Sequence, residues 1–131
     1  MPRFAILAFL LIPFHAMGAE PDCDAPHTTI EMNRCASLEL ERAEMKMQQY
    51  LSASREKHEE DIETVTALAA AQAAWETYKV RHCQAIHTLW RDGTIRGVMA
   101  LGCSIKLTHE RAHELWLQYL ADDPAQTEPE K

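Results

Sequence analysis

The chain has 131 residues, 20 of them acidic and 13 Lys or Arg, for a formal net charge of −7 with neutral histidines. That balance argues against nucleic acid or an anionic membrane surface as a partner and favours a basic protein, chiefly through association rate and solubility. The length allows one domain. With four glycines, no phosphate-cradling Gly-rich loop and no G-x-S-x-G turn, it offers nothing for phosphate-loop or serine-hydrolase chemistry.

The start, "MPRFAILAFLLIPFHAMGA", carries Arg3, then an apolar run from Phe4 to Phe14, then small residues. This is the order of a secretory signal peptide over 1–18, with cleavage after Gly18 or, as the near alternative, Ala19. The run is short for a membrane span and contains Pro13. Cys23 follows "EPD", which lacks the small residues of a lipoprotein site. The expectation is a soluble exported protein, secreted or periplasmic, neither lipid-anchored nor stably inserted in a membrane. Removing 18 of the 131 residues leaves 113, and losing Arg3 takes the formal charge from −7 to −8.

Thr28 and Glu31 have capping-box spacing and open a first helix. Cys35, Leu40, Ala43, Met47 and Tyr50 recur at helical spacing, and the charged residues lie largely off that stripe. The methionines read as core filler. "EKHEEDIET" has no Gly or Pro; the expectation is a turn at Glu59–Asp61 with Asp61 as N-cap, one continuous helix being the alternative. A second helix is expected over about Ile62–Trp90, with Val65, Leu68, Gln72, Trp75, His82, Ile86 and Leu89 as its seam. Asp92–Gly93 stops it, and Thr94 can cap a third helix over about Ile95–Leu120. Val98, Leu101, Ile105, Ala112, Leu115 and Tyr119 give that helix its apolar side. Gly97 and Gly102 each cost it about 1 kcal/mol relative to Ala, unless they mark close packing beside Cys103. The tail 122–131, "DDPAQTEPEK" from Asp122 on after Ala121, is polar and Pro-containing and is expected to be disordered. Without strand alternation, the fold class is all-α: a small antiparallel bundle of about three helices over 19–121.

Four cysteines in an exported chain argue for two disulfides. No pair has the C-x-x-C spacing of a zinc site. Cys83 and Cys103 lie ten residues either side of Gly93, so a helix hairpin turning there sets them level, each about 15 Å from the turn. Cys23 and Cys35 then strap the entry segment to the first helix. Loops of this size are worth about 3 kcal/mol each in the chain-entropy model.

"MNRCA" at 32–36, "AQAAWETYKVRHC" at 71–83, and Cys103 followed by "LTHERAHEL" at 107–115 resemble the lysozyme inhibitor LprI-like domain. The resemblance runs from Cys23 to about Leu120. It implies an exported helical domain with two disulfides and, for the founding member, inhibition of lysozyme. This chain departs from that lipoprotein in having no lipid-attachment cysteine. Gln72, Trp75, Tyr78, Thr108 and Arg111 match the family pattern and read as structural: Trp75 as core, Gln72 as a buried amide bonded to another helix or to backbone.

"HERAH" at 109–113 is a literal H-E-x-x-H match, the zinc-hydrolase signature. A small helical domain has little room for a cleft or third ligand, and Arg111 inside the motif brings a cation to the metal position. The expectation is no metal, no cofactor and no enzymatic activity. The function expected is an inhibitor that occludes the cleft carboxylates of a lysozyme-type glycosidase, lysozymes being typically basic. A periplasmic immunity or interaction protein for a toxin or another envelope partner is the alternative. Charge and exposure nominate Glu59, Glu60 and Asp61 at the first turn, and Arg91 and Asp92 at the hairpin tip, as binding surface.

Overall fold

The computed structural model describes residues 21–122 and 127–129. The expected signal peptide and its cleavage site lie outside the described residues, as do tail positions 123–126, 130 and 131. Three long helices follow one another: α1 (Thr29–Lys57), α2 (Ile62–Leu89) and α3 (Arg96–Leu115), the last continuing as a π-helical segment (Trp116–Leu120).

Local chemistry starts the first two helices where the sequence indicates. The Thr28 side chain accepts from Glu31 N at 3.1 Å, and the Glu31 carboxylate returns to Thr28 N at 3.0 Å, closing the capping box. The chain turns through 58–61, and Asp61 accepts from Thr64 N at 3.0 Å to cap α2. A continuous helix through "EKHEEDIET" is thereby excluded. The third start differs from expectation: Ile95, not Thr94, is the N-cap, and no side chain bonds the free N–H groups there. Gly93 N–H closes the connecting turn on Trp90 O at 2.9 Å.

α1 and α3 approach most closely, α2 packs on α3, and α1 and α2 stand further apart and meet through side chains such as Met47 and Gln72. The order is up, down, up, with α3 alongside α1. At one end an added Cβ on Gly97 would come within 2.5 Å of Asn33 Oδ1, so glycine here is a close approach of α3 to α1 rather than a feature beside Cys103. At the other end Lys57 Nζ and the His58 ring donate to the carbonyls of Leu120 (2.9 Å) and Tyr119 (3.1 Å). These bonds satisfy acceptors that a helix end leaves open.

The core is Met47, Tyr50 and Leu51 of α1, Leu68 of α2, Ala112 and Leu115 of α3, and Trp116. Ala43, Met47, Tyr50, Leu51 and Ser54 bury one stripe of α1, as the three-four spacing requires. Ser54 is fully buried and turns its hydroxyl back to Tyr50 O at 2.7 Å. The α2 seam is narrower than expected. Leu68, Gln72 and Cys83 are its buried residues, whereas His82 is exposed and Leu89 is 72% exposed. A helix on the outside of a three-helix bundle buries one narrow stripe. Trp75 is half-buried at the edge of the core.

Both disulfides pair as the hairpin geometry requires. Cys83 and Cys103 have Cα atoms 5.6 Å apart and tie α2 to α3; Cys23 and Cys35, 5.5 Å apart, tie the entry segment to α1.

Candidate functional site

Most of the residues singled out in the sequence fall into three separate places. The first is interior. Gln72 of α2 sits opposite Arg111 of α3, which is 7% exposed. Arg111 Nε donates to Gln72 Oε1 at 3.0 Å, and Arg111 Nη1 pairs with Glu114. Gln72 Nε2 donates to Glu76 Oε1 at 3.2 Å and lies 3.7 Å from Met47 Sδ. One buried amide thus links α2 to α3, touches α1 and holds a carboxylate on its own helix. Thr108 is buried one turn before Arg111 on the same face of α3. Among the described residues, Thr108 Oγ1 and Arg111 Nη2 are buried without a hydrogen-bond partner. Tyr78 is not part of this group: it is 54% exposed and stacks on His82, ring centroids 5.3 Å apart.

The second and third places are the two ends of α2. Glu59, Glu60 and Asp61 are all exposed at the first turn. Asp61 is committed to capping: bonds from the Thr64 backbone and hydroxyl hold its carboxyl below its ordinary pKa. Arg91 and Asp92 are exposed at the tip, with a loose 3.9 Å contact between them. The 28-residue α2 separates turn from tip by about 42 Å. The two surfaces are therefore not one site.

The two histidines of "HERAH" engage different carboxylates. The His109 ring meets Glu39 Oε1 at 3.2 Å, and His113 Nδ1 meets Glu128 Oε2 at 2.8 Å. Arg111 between them points into the core. No group of three His, Cys, Asp or Glu side chains among the described residues is placed to hold a metal ion.

Two features were not anticipated from sequence. Lys79 crosses from α2 to α1, with Nζ 2.9 Å from Glu44 Oε1 and 4.9 Å from the Trp75 ring centroid. The i, i+4 spacing of Trp75 and Lys79 was the available signal. Glu128, in the segment expected to be disordered, accepts from Lys46 at 2.6 Å as well as from His113. Burial works to raise the Glu128 carboxyl, but the bonds from Lys46 and His113 outweigh it, and its pKa lies below the ordinary value. The bond to Glu128 raises Lys46 correspondingly.

No helix among the described residues is long and apolar enough to cross a membrane. The family model described as "Lysozyme inhibitor LprI" matches residues 22–115, from the first disulfide to the core end of α3. The chain is also similar to "Uncharacterized protein R02472" of Rhizobium meliloti (strain 1021), with 26% identity over 125 residues covering 87% of this chain and 90% of the relative. No solved structure matches it.

Proposed function

Because the chain belongs to the lysozyme inhibitor LprI family, we propose that it is an exported binding protein that inhibits a lysozyme-type glycosidase by blocking access to the cleft carboxylates. The observation that carries this reading is the family match over residues 22–115, which spans both disulfides and all three long helices. Two disulfides suit an oxidising, extracytoplasmic compartment, where such a target is met. A rigid scaffold limits the ordering cost of association. The excess of 20 acidic over 13 basic residues favours fast encounter with a cationic enzyme. The protein acts by contact, and no chemical step is assigned to its own residues.

The test is a panel of lysozymes of different classes assayed on cell-wall substrate in low salt with purified exported protein. At least one class is expected to lose most of its activity. Full activity across the panel at saturating protein rejects the reading.

A further inference from the structure

Given the inhibitor reading, the remaining question is where the target sits. A furrow runs beside α2, where α1 and α2 approach less closely than either approaches α3 and meet through long side chains. Its first stretch has Glu44, Met47 and Gln48 of α1 on one bank and Glu76, Lys79 and Val80 of α2 on the other. Beyond Val80 it continues between α2 and α3, past Cys83 to Leu101 and Ser104. Val80 is common to both stretches and is 65% exposed.

The furrow combines that apolar surface with held negative charge. Its single lysine is already engaged: Lys79, with a side chain only 13% exposed, is bound to Glu44 and lies over Trp75. Glu76 is fixed by the Gln72 amide, which Arg111 in turn holds from α3. The family-motif residues Gln72 and Arg111 therefore pre-position a carboxylate on the open face, though neither is itself accessible. Glu41, one turn before Glu44 on α1, extends the negative charge along the adjoining surface beside Met45, which is 60% exposed.

We propose that this furrow receives a projecting segment of the basic hydrolase, with a lysine or arginine whose head meets Glu44 and Glu76 and whose aliphatic stem covers Val80. Long cationic side chains bury their stems on apolar surface in this way. A carboxylate already fixed in place adds little ordering cost on binding. The Glu59–Asp61 turn presents solvated charges at a helix end, where salt and side-chain entropy leave each ion pair little net value. Joining charge to apolar surface is what makes the furrow the stronger anchor.

The experiment is amide NMR mapping on the isotopically labelled exported protein, titrated separately with an inhibited lysozyme and with hexylammonium, an aliphatic chain ending in a cation. Both titrations should shift signals of Glu44, Glu76, Val80 and Leu101. Val80→Lys places a cation on an exposed position of a helix that tolerates lysine. It should weaken lysozyme binding at least about tenfold. The double change Glu59→Lys and Glu60→Lys should cost less than about threefold. Lysozyme shifts confined to 59–61 or 91–95, with Val80→Lys binding like wild type, overturn the furrow as the site while leaving the inhibitor reading intact. If no lysozyme binds, that reading fails by itself. Hexylammonium shifts then still support the furrow as a cation-accepting surface, and their absence from it rejects that as well.

Discussion

Gln72 is the side chain on which the interior depends most visibly. Its carbonyl oxygen is the acceptor for a nearly buried guanidinium, and its amide holds Glu76. Gln72→Leu keeps the volume similar and removes the acceptor, leaving Arg111 Nε buried and unpaired. The expected cost is about 2 kcal/mol, read as a lower urea midpoint at unchanged slope. The glycines of α3 give opposite expectations. An added Cβ at Gly102 meets nothing within 4 Å, so Gly102→Ala should stabilise by about 0.5–1 kcal/mol. At Gly97 the methyl would press on Asn33, whose amide donates to Thr29 O at 2.7 Å, so Gly97→Ala should forfeit that gain. Paired thermal melts of the two variants check the contrast. Gln72 could be identified in the sequence as a buried hydrogen-bonding group because an amide on an apolar seam demands partners. Arg111 as its partner could not, because pairing residues 39 positions apart requires the register of α3 on α2.

The first two helix starts were legible because their caps are local; the third was not, since Ile95 rather than Thr94 is its N-cap and no side chain bonds there. Thr28 with Glu31, and Asp61 with Thr64, act within four residues. The hairpin register was legible because a disulfide constrains both helices at once. The α2 seam was less so: His82 and Leu89 fit the period, but burial depends on how much of α2 its neighbours cover, and both stay exposed. Replacing both Cys83 and Cys103 with Ser should cost about 3 kcal/mol, measured by denaturant unfolding. It should also free the tip-proximal half of α2 to exchange amide protons faster than the half near Leu68. The C-terminal segment is clipped onto α1 and α3 through Glu128, Lys46 and His113. Since the Glu128 pKa is lowered on docking, the clip contributes fully above the ordinary carboxylate value and is lost as pH falls through the lowered folded value. Glu128→Gln should release the segment at neutral pH, seen as loss of the Lys46 side-chain contact by NMR with the helices intact. Acidification of the wild type should reproduce it.

At the scale of the whole molecule, two disulfides and one compact core hold three helices as a rigid acidic body with a furrow along one side. The all-α class and the family were evident from periodicity and from the spaced Cys, Trp and Arg motifs. The furrow was not, because it depends on the spacing between α1 and α2 once both lie against α3, which neither helix reveals alone. Binding to a basic enzyme through a net-negative face should weaken steadily with salt, as surface charges are screened beyond about 8 Å at physiological ionic strength. The decisive measurement is a stoichiometric titration of the most sensitive lysozyme, following cell-wall clearing at low and high salt. The inhibitor reading predicts a saturating loss of lysozyme activity at low salt, with more protein needed for the same effect at high salt. A clearing rate unchanged by excess protein at low salt would contradict it.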